Sequence, residues 1–458
     1  MRKKFGFDYI ILGSGPAGST AALNLAGSKK RIGVVEENFF GGSDLAGRDL
    51  PYLVALDFAQ SFHKVANSPE LTGQDLSFNF PTIANRKARI SSAMSQITKK
   101  ELESKGIACI KGHANFLDAH TIAVGKQQFT SANFILATGS RPKTKQIFGL
   151  DQVNYLTPDT IFTLRRLPKA VLVIGGGSTG CETAEYFAKL GAKVLLMEQK
   201  DRLLPREDVD VSETMTNYFS KNLHVMVLPN YKVVALEKAK NETKVVFSNN
   251  RREKSIHIEC VVLATGSTPA LDYGLENAGV SYNEKGIIVN KLFSTSAKNI
   301  FAIGDCVGGE SSTSRATYEG FILANNLKNK SKNLINYQGF TRLTGTSPAI
   351  ATVGLNELEL KAKKRKYKKA VTPLSIIPLS KIDNIPGFVK LLSDSSNHIL
   401  GATVVSPHAA YLIQEIALAI RHNLSAIEIA STPHPVNSFS YAVRIAAKKL
   451  IETKKASA

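Results

Sequence analysis

A chain of 458 residues, 43% hydrophobic and 21% charged with 33 glycines, has the composition of a soluble globular protein and room for two or three domains, each with its own core. Its four cysteines, Cys109, Cys181, Cys260 and Cys306, show no paired or metal-ligand spacing. That argues against a disulfide scaffold or a zinc site and fits a reducing, cytoplasmic compartment. The net charge of +20 and a pI near 9.6 ask for an acidic partner, an anionic membrane surface or no partner at all.

The chain begins MRKKFGFDYIILGSG, where the apolar run ends in glycines without a small-residue cleavage site, so no signal sequence is expected. No segment approaches the length of a membrane span. FDYIILGSGPAGSTAALNLA reads as a buried strand, a glycine turn and a helix, with Gly13, Gly15 and Gly18 in G-x-G-x-x-G spacing. That spacing supplies a tight turn, close backbone approach to a pyrophosphate and close packing of helix on strand, with the helix N-terminus facing the phosphates. The next strand, RIGVVEE, carries Glu36, placed to accept hydrogen bonds from a ribose. GGSDLAGRDLPYL follows at 41–53, with Asp44 and Asp49 between the pair Gly41–Gly42 and Pro51.

The same unit recurs in AVLVIGGGSTGCETAEYFAKLGAKVLLME, with Gly175, Gly177, Gly180 and the acid Glu198. In both units the acid follows the last glycine by 18 residues, Gly18 to Glu36 and Gly180 to Glu198, a repetition that points to two dinucleotide sites. ATGSRP (137–142), with Thr138 and Gly139, and ATGSTP (264–269), with Gly266, each follow an apolar strand and nearly repeat each other. NIFAIGDCVGG then places Asp305 just after a buried strand and a glycine, where carboxylates usually meet a ligand. The densest basic run, KAKKRKYKK at 361–369, lacks the spaced aromatics or recognition helix of a nucleic-acid binder. It reads as a solvated segment or as a dock for an acidic protein or anionic lipid, with no nucleic-acid partner expected.

With these landmarks in order, the chain resembles the pyridine nucleotide–disulfide oxidoreductases, especially dihydrolipoamide dehydrogenase and mercuric reductase. The resemblance extends through SPAIATVGLNELEL (347–360) to GFVKLLSDSSNHILGATVVSPHAAYLIQEIALAI (387–420), which looks like the family's dimerisation domain. It implies an α/β fold of two Rossmann-like dinucleotide-binding domains plus a C-terminal α+β dimerisation domain, and a homodimer. The expected FAD domain is 1–145 with 271–338, the NAD(P) domain 146–270 and the dimerisation domain 339–450, followed by a tail at 451–458. It further implies FAD in the first unit, with Glu36 on the adenosine ribose and Asp305 near the ribityl and pyrophosphate part. The second unit then takes the nicotinamide cofactor. Glu198 favours NADH, since it would repel a 2′-phosphate, while NADPH stays open because Lys200 or Arg202 could reach one.

In the family the glycine pair is followed by a cysteine, four residues and a second cysteine, then proline, serine and lysine. Laid on that pattern, Asp44 and Asp49 hold the cysteine positions and Leu53 the lysine position. A carboxylate cannot form a disulfide or carry two electrons, so self-sufficient disulfide reduction is not expected. The family lysine pairs with a glutamate corresponding to Glu182, and its loss should lower the flavin potential. In STPHPVNSFSYAV, His434 and Pro435 are kept, but Phe439 stands where the family has the glutamate that orients the histidine. If the dimer forms as in the family, His434 faces Asp44 and Asp49 of the other copy, which would favour imidazolium and make a proton donor beside the flavin. Two other readings are a relic site, with the aspartates solvating an abandoned cavity, and a metal held by these three residues.

The expected function is therefore an FAD-dependent NAD(P)H oxidoreductase, hydride passing from nicotinamide to flavin and electrons leaving to a non-thiol acceptor. A quinone, oxygen, a metal ion or an acidic electron-transfer protein would each serve. The alternatives are a catalytically degenerate FAD- and NAD-binding scaffold or sensor, and a dihydrolipoamide dehydrogenase-like enzyme whose dithiol comes from a separate protein.

Overall fold

Ile10, Ile11 and Leu12 close the strand Phe7–Leu12 with no more than 1% exposure, as expected of a parallel strand covered on both faces. The computed structural model describes residues 5–27, 29–43, 49–68, 76–143, 147–249, 252–383 and 386–453. Around Phe7–Leu12 the parallel order is Ala108–Lys111, Ile32–Glu36, Phe7–Leu12, Gln127–Leu136 and Ile300–Ala302. Gln127–Leu136 is long enough to serve twice. Its C-terminal half lies in this parallel sheet, and its N-terminal half carries an antiparallel extension through Thr121–Val124 to Ala114–Asp118. Helix Pro16–Leu25 starts with proline, whose fixed φ suits a first turn, and crosses helix Thr313–Asn329 closely. At that crossing a Cβ on Gly320 would fall on the Ala17 carbonyl.

The second sheet is parallel throughout, in the order Met226–Leu228, Lys193–Met197, Ala170–Ile174 and Cys260–Leu263. An antiparallel triplet, Lys232–Ala239, Glu242–Ser248 and Glu253–Ile258, is attached to it. Ser140–Pro142 and Ser267–Pro269, the ends of the two ATGS repeats, pair with each other antiparallel. The chain thus leaves the first sheet and returns to it along one two-stranded ribbon. This fixes the second unit as an excursion from the first.

The third layer is a five-stranded antiparallel sheet, ordered Thr341–Thr344, Ala349–Gly354, Ile399–Ser406, Phe388–Ser393 and Lys368–Pro373. Helices Ala409–Arg421 and Ser440–Glu452 cover it, burying Val389, Leu391, Val404, Ile416 and Ala446 in one core. Phe388–Ser393 is buried along its whole length, including Lys390 at 0% exposure. The Lys390 ammonium is held by Asp208 at 2.6 Å, Asp210 at 2.8 Å and Glu357 at 3.1 Å, which ties helix Val209–Asn222 of the second unit to the third sheet. Burial opposes the charge, and the two aspartates more than offset it, so the Lys390 pKa lies above its ordinary value. Among the described residues no helix is long and apolar enough to cross a membrane.

Candidate dinucleotide and redox site

The two glycine loops are built alike, atom for atom at the points that matter. Gly13 has φ +98° and Gly175 φ +113°, and a Cβ on either would fall on the carbonyl oxygen of the neighbouring strand end, Ala137 or Ala264. A Cβ on Gly18 or Gly180 would strike the carbonyl oxygen of Gly13 or Gly175 in its own loop. These four glycines let backbone pack on backbone. Gly15 and Gly177 differ, because a Cβ there would meet nothing within 4 Å. Each opens instead onto the cavity at a helix N-terminus, Pro16–Leu25 or Ser178–Lys189, where a pyrophosphate has room and amide donors.

Both acids clamp their loops. Glu36 accepts from Ser14 N–H at 3.0 Å, Ser14 Oγ at 2.7 Å and Asn38 N–H at 2.8 Å. Glu198 accepts from Gly176 N–H at 2.6 Å and Lys200 N–H at 2.7 Å. Gly42 belongs to the first loop as well, since a Cβ there would come within 2.6 Å of Gly15 Cα. Asp305 lies in the turn Gly304–Val307 and accepts from Ser140 Oγ of the first ATGS repeat at 2.8 Å. That turn is held from behind by buried Glu319, which accepts from Gly304 N–H at 2.7 Å and from Arg315 Nε at 2.7 Å, a support that no sequence spacing announced.

One cavity of about 1640 Å³ joins the two loops. Gly13, Gly15, Glu36, Gly42, Thr138, Gly139 and Asp305 line it from the first unit, and Gly175, Gly177, Glu182, Glu198 and Gly266 from the second. Gly18 and Gly180 lie behind its wall as packing residues. Between the loops stand Tyr52, Leu53 and Leu56 of helix Asp49–Ala66, with Lys87 of helix Phe80–Ser104. Glu182 accepts from Gly345 N–H at 2.6 Å, and Leu53 lies beside the same glycine, so the pair expected from the family's lysine and glutamate positions is brought together. The wall keeps a cation despite Leu53. Lys87 holds its ammonium 5.4 Å from the Phe162 ring centre, and burial pulls its pKa down while Asp159 opposes that shift. The buried Tyr52 hydroxyl donates to Thr183 Oγ1 at 2.6 Å, locking this helix to the second unit.

At the second unit, Lys200 and Arg206 line the cavity. Arg202 does not: it is turned onto its neighbour Asp201 and the Pro205 carbonyl. Of the two cations expected near a 2′-phosphate, Lys200 therefore stays in place. Arg206, which sequence reasoning missed, joins it.

Asp44 lies outside the described residues. Asp49 opens the helix Asp49–Ala66, and its side chain lies outside them too. His434 gives a correction. Phe439 does not leave its ring without a carboxylate, because Glu415 of helix Ala409–Arg421 accepts at Nε2 at 2.9 Å while the Thr432 carbonyl faces Nδ1 at 2.8 Å. The side chain is only 5% exposed and is packed within its own chain. Both ring nitrogens thus face acceptors from within this chain.

All four cysteines are free, and none lines the cavity. Burial pushes the thiols up, to about 11 for Cys109 and Cys306, about 12 for Cys260 and well above the ordinary value for Cys181. None is poised as a thiolate near neutral pH. The acids of metal-ligand spacing among the described residues are Asp208, Asp210 and Glu357, and the Lys390 ammonium occupies their midst.

Comparison with known proteins agrees with this arrangement. Residues 7–320 match the model of the pyridine nucleotide-disulphide oxidoreductases, and residues 341–447 match that family's dimerisation domain. The chain is 30% identical over 450 residues to a mercuric reductase of Staphylococcus aureus, covering 96% of this chain and 82% of the relative. It is also 30% identical over 437 residues to a dihydrolipoyl dehydrogenase of Chlamydia pneumoniae, covering 93% of each. Among solved structures, LpdA of Mycobacterium tuberculosis superposes with a TM-score of 0.88 at 24% identity, covering 96% of this chain and 99% of that one. The Cu(II) complex of the HOCl-induced flavoprotein disulfide reductase RclA of Escherichia coli gives 0.88 at 22%, covering 97% and 99%. The chain belongs to the pyridine nucleotide-disulphide oxidoreductase family, with its FAD- and NAD(P)-binding domains and its dimerisation domain.

Proposed function

We propose that the protein is an FAD-dependent NADH oxidoreductase that passes electrons to a non-thiol acceptor, a quinone, a metal ion, oxygen or an acidic electron-transfer protein. The observation that carries this reading is the single cavity shared by two complete nucleotide loops with no thiol on its wall among the described residues. Bound there, FAD would supply two-electron redox chemistry between the nicotinamide and the acceptor.

The residues have separable tasks. Gly15 and the N-terminus of Pro16–Leu25 receive the FAD pyrophosphate, with Glu36 at the ribose and Asp305 set by Ser140 for the ribityl side. Gly177 and the N-terminus of Ser178–Lys189 receive the nicotinamide cofactor. Glu198 favours a free 2′-hydroxyl, while Lys200 and Arg206 leave some tolerance for NADPH. Thr138, Gly139 and Gly266 shape the strand ends around both ligands. Glu182 and Lys87 set the charge of the wall between the cofactors.

Asp44 and Asp49, at the positions of the family's sulfurs, remove the thiol relay, since thiol–disulfide exchange needs a thiolate. In this reading His434 delivers a proton across the homodimer only after its ring leaves Glu415. The unpaired cysteines support a cytoplasmic setting.

An acceptor screen under steady-state NADH tests the proposal, with a small quinone, ferricyanide, Cu(II), Hg(II), oxygen and lipoamide in parallel. Turnover is expected with at least one non-thiol acceptor and none with lipoamide. NADH binding without turnover on any acceptor would make the protein a sensor, and lipoamide reduction by the purified chain would overturn the exclusion of thiol chemistry.

A further inference from the structure

The lysine-rich run at 361–369 takes no part in either nucleotide site. It forms the turn from helix Glu357–Ala362 into strand Lys368–Pro373, and Lys361, Lys363, Lys364, Arg365 and Lys366 are exposed there without an ion pair among the described residues. The strand is the edge of its sheet, bonded to Phe388–Ser393. Its alternation turns Lys369, Val371 and Pro373 outward and buries Ala370 and Thr372. Lys369 reaches Glu357 and Lys368 donates to Asn397, so the five exposed cations of the turn stay without an ion pair among the described residues. At the far end of the strand, about 20 Å away at the rise of an extended chain, Ile376, Leu379 and Ile382 are 45%, 38% and 74% exposed beside exposed Lys381. Helix Ser440–Glu452 borders the same edge, adding exposed Lys448 and Lys449, whose Nζ donates to the Val371 carbonyl at 3.4 Å.

We propose that this edge docks on an anionic phospholipid surface, the basic turn lying among the headgroups and the three aliphatic side chains entering the acyl boundary. The chemistry favours lipid over other occupants. The run holds six lysines and one arginine. Lysine is a hydrated point charge that needs no fixed partner geometry, whereas protein interfaces enrich arginine and aromatic residues and deplete lysine. Aliphatic side chains flanking a basic face are the pattern of a protein that lies on a bilayer. A second copy packed across a two-fold axis would set the cations of one edge against the same cations of the other.

The test is co-sedimentation of the FAD-loaded full-length protein, without NADH, with vesicles of phosphatidylcholine alone or mixed with phosphatidylserine. Because no turnover is read, the outcome is independent of the proposed acceptor chemistry. Binding to the mixed vesicles is expected, with loss of binding at high salt, where the screening length shrinks. The triple variant Lys361→Glu/Lys363→Glu/Lys364→Glu should bind at least about tenfold more weakly, each basic residue contributing to surface attraction. Ile376→Ser/Ile382→Ser, which leaves the net charge alone, should also weaken binding by about tenfold or more through lost apolar burial. Retained FAD and an unchanged melting temperature in these variants show that they fold. Absence of vesicle binding, or equal binding by the serine variant, overturns the proposal. So does retention of polyglutamate without vesicle binding, which would identify an acidic protein, or a changed oligomeric state in the serine variant, which would identify a second copy.

Discussion

In both dinucleotide units a glutamate closes the second strand and grips the glycine turn, Glu36 through Ser14 and Asn38, Glu198 through Gly176 and Lys200. Their surroundings diverge. Glu36 is followed by Glu37, which accepts from His113 Nδ1 at 2.7 Å and from Arg141 at 3.2 Å, so the guanidinium near this first acid is already paired. Beside Glu198, Lys200 and Arg206 face the cavity instead. The motif spacing thus dictates a shared backbone shape, while the flanking charges, which the motif does not specify, differ between the two units.

The largest effect should come from the packing glycines. Gly18→Ala or Gly180→Ala forces a Cβ onto a carbonyl, and each should lower stability by at least ~1–3 kcal/mol. Gly15→Ala and Gly177→Ala, whose Cβ atoms meet open space, should leave the apoprotein melting within ~0.5 kcal/mol of wild type and weaken cofactor binding instead. Thermal melts beside FAD and NADH titrations separate the two classes, and equal melting losses in all four would remove the distinction.

Next come the acids. Glu36→Gln and Glu198→Gln each weaken charge-assisted hydrogen bonds worth ~1.5–3 kcal/mol apiece. The first should cost FAD retention on gel filtration; the second should weaken NADH with FAD kept and raise the NADPH-to-NADH activity ratio. Loss of both cofactors in both variants would mean that the two sites are not separable.

The thiols give a pH test. Each folded thiol pKa lies above the ordinary 9.0, at about 11 for Cys109 and Cys306 and about 12 for Cys260. The protonated form therefore contributes stability that is fully present below about pH 9 and is lost as pH rises through about 11 to 12. Alkylation of the native protein should be slow near pH 8, with Cys109, the least buried, reacting first as pH climbs. Fast labelling at neutral pH would reinstate a reactive thiol. The smallest effect is expected of Glu415→Gln, which should loosen the turn around His434 by ~1 kcal/mol, read as faster hydrogen exchange over residues 432–439 with little change in melting.

Much of this was legible in the sequence because it is local: strand, turn, helix and acid follow at a fixed interval in both units. What was not legible joins distant segments. Glu415 reaches His434 from helix Ala409–Arg421, 19 residues earlier, with no spacing rule to link them. Lys87 and Arg206 enter the cavity only because separate elements converge on it. The pairing of Ser140–Pro142 with Ser267–Pro269 looks like mere repetition until the fold lays the two passages side by side. Asp44 and Asp49, by contrast, are read from the sequence alone, as the positions that the resemblance lays on the family's cysteines.

The central claim, that electrons leave without a thiol relay, is tested most directly with a variant in which Cys109, Cys181, Cys260 and Cys306 are all serine. Mixed anaerobically with NADH and then with a quinone, the FAD-loaded variant should lose and regain its flavin absorbance at wild-type rates. Failure of the flavin to bleach in the wild type, or reoxidation that vanishes in the variant while its fold is intact, would contradict the account.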